Sequence, residues 1–436
     1  MERITRNIPF LLQTAFIAIG GGLLAAITSL WLSLHITDLS KSIPQDDLLW
    51  DYFIGLLWAL VLWILLLLWP IRERKHLLLI WLPKIIITCF SMLFYEAQLG
   101  ELDAFVYFEQ GIKGEFPADF SATGLGTANI YRITYALSFL TGDSYRALVV
   151  LYSFLGLVGI WLIYKAAMLY FGVQRVYLLY ILALFPSLLF WPSILGKEPL
   201  QLLFLGIYTY GTAGWLRRKH ISHIALMLLG ALLITVMRVW WIFIIVTPLF
   251  GVIFTTRSSR PFIRFLLSTL LMVGVFIFLQ KIFDVKSISD SLSLVNAVSR
   301  SWAFGGTAQA VPEFNNVFDI IVFLPVGMFT ALFRPMPWEA HNLFTILASV
   351  ENLVLILLFL KGLWNFDMHF ARYPFIIFAG LLLATWALVY AFISYQNLGT
   401  ALRFKSDILP FFLLMFVPLA FPKEKLKLTR AMESSS

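Results

Sequence analysis

The sequence predicts an all-α membrane protein, in which residues 1–436 form one integral bundle of about twelve membrane-crossing helices. Hydrophobic residues make up 60% of the chain and the mean hydropathy is +0.87, which is more apolar content than a water-soluble globule can bury. The apolar runs are 17 to 27 residues long, which is the length that a helix needs to span a bilayer. Composition and run length together therefore favour a polytopic transmembrane bundle.

Thirteen apolar runs are candidates for the crossings. They lie at residues 8–34, 52–70, 77–94, 145–164, 176–192, 198–215, 221–237, 239–256, 262–283, 317–333, 343–360, 373–394 and 406–421. The first run is interpreted as a signal anchor, because it is longer than the core of about 7–15 residues found in cleaved signal peptides. The stretch 220–256 is too long for one helix across a core of about 30 Å, so we divide it at Arg238.

The basic residues indicate the orientation of these helices. Lys and Arg cluster in short loops that lie two crossings apart, and such loops tend to stay in the cytoplasm. Thirteen crossings would put the basic ends of the chain on opposite sides, so one run is expected not to cross. The weakest is 317–333, which is short and interrupted by Pro325. We expect a re-entrant or interfacial segment there, about twelve true crossings, and both termini in the cytoplasm.

This orientation puts two large regions on the outer face, an acidic loop at 95–144 and a second loop region at 284–342. Within the first, residues 128–140 have the composition of a short helix lying on the membrane. Because the outer face also receives the isolated polar turns near Lys197, Arg238 and Arg403, the functional site is expected there.

The acidic loop carries the candidate base. Glu101 and Asp103 follow a crossing helix directly, and Tyr107 lies one helical turn after Asp103. A carboxylate that nearby aromatic rings keep partly dry can remove a proton from a sugar hydroxyl. Asp103 is the preferred base and Glu101 the second choice. A solvated acidic turn is the alternative interpretation.

A second candidate element is the hairpin that ends in Gly196-Lys197-Glu198-Pro199. Pro192 and Gly196 interrupt a helix, and Lys197 begins the next one, so unpaired backbone N–H groups and an ammonium meet at one point. That combination suits a phosphate group. In the alternative interpretation Lys197 reaches lipid headgroups and pairs with Glu198.

Isolated arginines complete the candidate site. Four isolated arginines fall on the predicted outer face: Arg238, Arg300, Arg334 and Arg403. One guanidinium group can bind two oxygens of a phosphate at once. Each could instead anchor a helix at the membrane edge. Two residues near Arg334 are supporting candidates: Glu339 and His341.

The sequence lacks the motifs that are typical of several other function classes. The net charge of +8 reflects the basic loops, so nucleic-acid binding is not expected. Cys89 is the only cysteine, and the six histidines show no metal-ligand spacing. Neither a P-loop nor a dinucleotide-binding motif occurs. We therefore assign no cofactor and no metal ligands.

Three motifs resemble those of a known family. They are Asp103-Ala-x-x-Tyr107, Phe185-Pro-Ser-x-x-Phe-Trp-x-x-x-x-Gly-Lys-Glu198 and Gly399-Thr-x-x-Arg403-Phe404. This arrangement resembles bacterial membrane glycosyltransferases of the GT-C type, which take sugars from polyprenyl-phosphate donors. The likeness covers residues 85–215 and 395–421. It departs from the family in the first loop, where the second acidic motif of many such enzymes has no counterpart.

The resemblance implies a site, partners and a location. Asp103, or else Glu101, would deprotonate the acceptor hydroxyl, while Lys197, Arg238 and Arg403 would hold the donor phosphate. The partners would be a polyprenyl-phosphate-linked sugar, a glycan or glycolipid acceptor and the surrounding membrane lipids. The protein would lie in the bacterial inner membrane with its active site on the outer face, in cell-envelope or exopolysaccharide assembly. Whether a divalent cation takes part is left open.

Two other functions are kept as alternatives. The chain is also similar to polysaccharide polymerases of the Wzy and EpsG kind, in which the arginines would bind the pyrophosphate of a lipid-linked oligosaccharide. A transporter or lipid flippase would also suit twelve or so crossings, but such proteins usually place their polar residues near the bilayer midplane. Most charges here lie at a membrane edge.

Overall fold

The computed structural model describes residues 42–99, 102–117, 124–255, 261–303, 308–310 and 312–421, together with residues 19, 20, 22, 23, 27 and 39. Most of the predicted first crossing, and the candidate base Glu101, lie outside the described residues. Within the described part every extended element is a helix, and the single β-bridge joins Ala308 to Asn397. The all-α prediction is confirmed for these residues.

The first half of the described chain contains nine α-helices. They are α1 (Leu48–Leu68), α2 (Arg74–Ile86), α3 (Met92–Leu99), α4 (Asp103–Lys113), α5 (Gly124–Thr141), α6 (Tyr145–Phe171), α7 (Val176–Leu184), α8 (Pro186–Phe190) and α9 (Lys197–Arg218). A π-helical turn, Ile87–Ser91, joins α2 to α3, and a 3₁₀ turn, Trp191–Ser193, follows α8.

The second half also contains nine α-helices among the described residues. They are α10 (Ile221–Met237), α11 (Trp241–Thr255), α12 (Pro261–Ile282), α13 (Ile288–Ser301), α14 (Val317–Phe333), α15 (Leu343–Trp364), α16 (Met368–Ala371), α17 (Pro374–Ser394) and α18 (Leu398–Ala420). A 3₁₀ turn, Pro337–Glu339, lies between α14 and α15.

Several helices have the length and composition of membrane spans. Five pass this test among the described residues: Leu48–Leu68, Arg74–Ala97, Tyr145–Phe171, Leu343–Trp364 and Pro374–Ser394. A sixth span results if the bent pair Val176–Leu184 and Pro186–Ser193, which meets at 75°, counts as one broken crossing. These apolar helices support a membrane protein.

The bundle is centred on α6 and α18, whose side chains are mostly buried. α6 packs against α1 and α9, and α18 packs against α15 and α17. Glycines let α6 and α9 approach closely, since a Cβ atom on Gly206 would lie only 2.6 Å from the carbonyl oxygen of Gly159. This packing holds the beginning of α9 in a defined place.

The helix boundaries agree with some predictions and differ from others. The division at Arg238 is confirmed, because α10 ends at Met237 and α11 begins at Trp241. The predicted interruption at Pro325 is wrong, since α14 runs through it without a break. In this apolar segment losing one backbone hydrogen bond costs less than unwinding the helix and exposing more polar groups.

The acidic region 95–144 is also more regular than a loop. It contains α4 and α5, and α5 extends beyond the predicted interfacial helix 128–140 to cover Gly124–Thr141. α4 packs against α5, and α5 contacts α6 and α10. The region is therefore a packed layer that positions Asp103 against the rest of the bundle.

Candidate functional site

Four distant parts of the chain bring charged side chains together at one end of the bundle. We define the Arg403 cluster as Asp103, Glu198, Arg238, Arg403 and Asp407. Arg403 Nη1 donates a hydrogen bond to Asp103 Oδ2 at 3.0 Å, and its Nε lies 2.9 Å from Glu198 Oε1. Arg238 Nη2 donates to the same Glu198 oxygen at 2.7 Å. Arg238 and Arg403 therefore meet at Glu198, and Asp103 joins them through Arg403.

Glu198 is the centre of this cluster and is fully buried. It lies in the first turn of α9, where the helix dipole favours a carboxylate. The preceding Gly196 is needed for space, because a Cβ atom there would lie 2.9 Å from Glu198 Oε2 and 3.6 Å from Arg403 Nη2. The Gly-Lys-Glu sequence thus allows the carboxylate to hold two arginines.

Arg238 is enclosed by its partners. Besides Glu198, it donates a hydrogen bond to Asp407, and its guanidinium carbon lies 4.6 Å from the centre of the Phe404 ring. Its side chain is only 3% exposed. The structure therefore gives Arg238 two carboxylate partners in place of the open access that a phosphate-binding arginine needs, and its geometry is that of a scaffold residue.

Asp407 was missed by sequence reasoning. It lies four residues after Arg403, on the same face of α18, within the predicted crossing 406–421. An acid inside an apolar span is costly unless it is paired or used, and that signal could have identified it. The same signal applies to Glu351 and Lys405, whose side chains lie 3.6 Å apart and are both buried.

Lys197 lies beside the cluster at the first position of α9. Its Nζ donates to Thr127 Oγ1 at 3.0 Å and lies 5.9 Å from the ring centre of Tyr107. Burial, together with the nearby charge of Arg238, lowers the pKa of Lys197 to about 8. Burial and the neighbouring Asp103 raise the pKa of the Tyr107 hydroxyl, which stays protonated at neutral pH. The Lys197 ammonium is therefore partly desolvated, and the side chains of Thr127 and Tyr107 beside it are uncharged.

The accessible side of the cluster is formed by Asp103 and Arg403. The side chain of Asp103 is 62% exposed and that of Arg403 is 25% exposed, whereas the rest of the cluster is buried. A ligand that approaches this end of the bundle would therefore meet a carboxylate and a guanidinium first. The buried carboxylate of Glu198 holds that guanidinium in place from the interior of the bundle.

The other two predicted arginines lie in separate contacts. Arg300 pairs with Glu313 at 2.6 Å, and both side chains are well exposed to solvent. Arg334 pairs with Glu339, donating from Nε to Oε1 at 2.8 Å. Burial would raise the pKa of Glu339, but the hydrogen bonds from Arg334 and from the Met336 backbone outweigh it, and the pKa is lowered. Neither arginine contacts the Arg403 cluster.

Further buried polar contacts stabilise the surrounding helices. Arg146 Nη2 donates to Glu96 Oε2 at 2.7 Å, and Tyr145 donates to the same carboxylate at 2.9 Å. Ser187, in α8, donates to Glu351 from both its backbone nitrogen and its hydroxyl at 2.7 Å. Glu96, at the start of the acidic region 95–144, is fully buried. No group of three or more potential metal-ligating side chains occurs in the described part of the chain.

Comparisons with known proteins add no identification. No protein family model, curated protein or solved structure matches the chain. Function is therefore inferred from the residues and their geometry.

Proposed function

We propose that the protein is a membrane glycosyltransferase that moves a single sugar from a polyprenyl-phosphate donor to a glycan or glycolipid acceptor. The observation that carries the proposal is the accessible ion pair between Asp103 and Arg403 at one end of the bundle, with the Lys197 ammonium near enough to interact with both electrostatically. A carboxylate able to take a proton, placed beside cations able to hold a phosphate, is the set of groups that this reaction requires.

The donor phosphate and Asp103 would compete for Arg403. When the phosphate binds the guanidinium, it displaces the Asp103 carboxylate, which then becomes available as a general base. Asp103 accepts the proton of the acceptor hydroxyl while the hydroxyl oxygen forms a bond to the anomeric carbon. The bond between that carbon and the phosphate oxygen breaks, and polyprenyl phosphate leaves with the electron pair. Arg403 and Lys197 stabilise the negative charge that develops on it.

The proposal includes a location and a topology. The fold would be GT-C-like, with about twelve crossings, both termini in the cytoplasm and the Arg403 cluster on the outer face of a bacterial inner membrane. The basic loops and the apolar helices support this arrangement. Such a position suits cell-envelope or exopolysaccharide assembly, since the cluster would face lipid-linked donors at the outer leaflet.

A transfer assay tests the proposal. The protein would be reconstituted in vesicles with radiolabelled polyprenyl-phosphate hexoses and pentoses, and with octyl glycosides as acceptors. Replacing Asp103 by Asn removes the base, so we expect the transfer rate to fall by about 10²- to 10⁴-fold. The matched control is Asp284→Asn, because Asp284 is 80% exposed and pairs with Lys286 away from the cluster. Full activity of Asp103→Asn, or no transfer from any donor, would contradict the proposal.

The polymerase alternative makes a different prediction in the same assay. A hydrogen bond from the Gln309 backbone nitrogen to the Gln396 carbonyl at 2.8 Å joins the contacts of Arg334 to the residues just before α18, the helix that carries Arg403. Two arginines in neighbouring segments would suit a pyrophosphate. A polymerase would require both Arg334 and Arg403, tolerate Asp103→Asn, and use only an oligosaccharide on a pyrophosphate carrier.

A further inference from the structure

A cavity of about 250 Å³ lies where the chain after α14 meets the beginning of α15 and of α18. Its lining includes Gln309, Glu339, His341 and Leu398. Leu398 is the first residue of α18 and precedes Arg403 by five positions, which corresponds to about 7.5 Å along a helix axis. The cavity is therefore a neighbour of the Arg403 cluster at the same end of α18.

The volume of the cavity limits what it can hold. Pockets for drug-sized ligands measure about 300–1,000 Å³. A cavity of about 250 Å³ is therefore of the right size for one small ring.

The charges around the cavity disfavour an anionic occupant. Its described lining contains the Glu339 carboxylate but no Lys or Arg side chain. The negative charge of Glu339 is already compensated, because its carboxylate accepts hydrogen bonds from Arg334 Nε at 2.8 Å and from the Met336 backbone nitrogen at 2.7 Å. A phosphate or a uronic acid would meet a carboxylate without an available cation, so an uncharged ligand fits better.

The hydrogen-bonding groups of the lining match hydroxyl groups. Arg334 Nη2 donates to Gln309 Oε1 at 3.1 Å, which leaves the Gln309 Nε2 group as a donor without a partner among the described residues. His341 Nδ1 lies 3.3 Å from the Glu339 carbonyl oxygen. Since a carbonyl only accepts, this contact assigns a proton to Nδ1 and leaves Nε2 as the ring nitrogen that can face a ligand hydroxyl. A hydroxyl group both donates and accepts, and Pro335 and Leu398 offer apolar surface for carbon–hydrogen faces.

We infer that this cavity is the subsite for the uncharged monosaccharide of the donor, held by Gln309 and His341 while Arg403 and Lys197 bind the adjoining phosphate. The inference rests on the proposed transferase function and specifies its substrate. It assigns the donor sugar a neutral ring with several free hydroxyls.

Ligand-observed NMR with methyl glycosides tests the subsite without requiring turnover. Protein in lipid nanodiscs would be titrated with uncharged methyl hexosides and pentosides, and with a methyl uronide. We expect saturable binding of at least one neutral glycoside and none of the uronide. Gln309→Leu and His341→Phe each remove one hydrogen bond and should weaken binding about 3- to 10-fold. The matched control His369→Phe changes a histidine in another segment and should have no effect.

A second variant distinguishes loss of glycoside binding from loss of folding. Ala308 also lines the cavity and is exposed, so Ala308→Leu fills the space without removing a hydrogen-bonding group. It should abolish glycoside binding while the protein elutes as the wild type does in size-exclusion chromatography. Absence of saturable binding, or binding unchanged by Ala308→Leu and His341→Phe, overturns the subsite.

The two proposals fail in different ways. If sugar transfer depends on Asp103 but neutral glycosides do not bind the cavity, the subsite is wrong and the transferase function stands. If glycosides bind the cavity but Asp103→Asn leaves transfer unchanged or no transfer occurs, the transferase function is wrong and the cavity remains a sugar-binding site.

Discussion

Glu198 shows how one residue can prepare a charged site in an apolar protein. Its buried carboxylate orients Arg403, whose Nε lies 2.9 Å away, and it also binds Arg238. Removing one partner of such a buried group leaves an uncompensated charge, which typically costs about 3–5 kcal/mol. Arg403 is thus held before any ligand arrives, so little side-chain ordering remains to oppose phosphate binding.

Lys197 leads to a prediction about pH. Because its pKa is about 8 in the folded protein, the ammonium is lost as the pH rises through that value. Binding of polyprenyl phosphate to the wild type should therefore weaken above pH 8, by up to about tenfold per pH unit if protonation is required. Equilibrium binding to nanodiscs between pH 6.5 and 9.5 would measure this change.

The substitution Lys197→Met should remove this pH dependence and lower the affinity at pH 7. Lys286→Met is the matched control, since Lys286 is 79% exposed and lies away from the cluster. Folding stability should respond in the opposite direction. The unfolded chain binds the Lys197 proton up to pH 10.5 and the folded chain only up to about 8, so this group makes stability rise with pH between those values. A wild-type affinity that stays constant across pH 8 would remove Lys197 from the phosphate site.

The sequence predicted which residues lie together better than it predicted their contacts. Motif and topology reasoning selected Asp103, Lys197, Glu198 and Arg403, which do lie together. It assigned Arg238 to a phosphate because an isolated arginine gives no sign of its partners, and Asp407, which pairs with it, is 169 positions away. Pairings over such distances depend on how the helices pack, which local sequence does not encode.

At the scale of the helices, the close approach of α6 and α9 positions Lys197 and Glu198. A methyl group on Gly206 would collide with the Gly159 backbone. We expect Gly206→Ala to destabilise the protein by about 1–3 kcal/mol through overpacking, and to lower activity by displacing the start of α9. Thermal unfolding in detergent would show a lower apparent melting temperature.

Gly274→Ala is the matched control for this prediction. Gly274 lies in α12, and a Cβ atom there meets no other atom within 4 Å. Alanine is the better helix former, so this change should be neutral or stabilising by up to about 1 kcal/mol. Equal melting temperatures for the two variants would mean that the contact between α6 and α9 is not as tight as described.

Most helix bounds among the described residues followed from the sequence to within about four residues, because long apolar runs leave few alternatives. The run 221–237 is an example, since its predicted bounds are those of α10. Two bounds differ more, since α6 ends seven residues after the predicted run and α18 begins eight residues before it. Breaks were harder to predict. Pro325 leaves α14 intact, whereas Pro186 coincides with the 75° bend between α7 and α8. The difference lies in the surroundings, because Glu351 accepts the freed Ser187 backbone N–H at the bend.

At the scale of the whole molecule, the orientation in the membrane can be tested with cysteine labelling. Cys89 is the only cysteine and is buried, so it should not react and can be replaced by Ser in a background variant. Trp338→Cys lies in an exposed turn on the proposed outer side, and Arg218→Cys is exposed on the proposed cytoplasmic side. A membrane-impermeant maleimide added to intact cells should label only Trp338→Cys.

Labelling of both variants after lysis is the control for accessibility. If intact cells label Arg218→Cys instead, the Arg403 cluster faces the cytoplasm and the proposed use of outer-leaflet donors is wrong. Labelling of both positions in intact cells would place them on the same side and would require an even number of crossings between them.

The ion pair between Asp103 and Arg403 can form only late in the synthesis of the chain. The two residues are 300 positions apart, and ribosomes add about 5–20 residues per second, so Asp103 waits roughly 15–60 s for its partner. Glu198 and Arg238 are separated by only 40 positions and can pair much earlier. A nascent chain therefore holds a half-built cluster in the membrane until α18 inserts. Synthesis that stops before α18 leaves Glu198 without Arg403 and Arg238 without Asp407, a defect that membrane quality control could recognise.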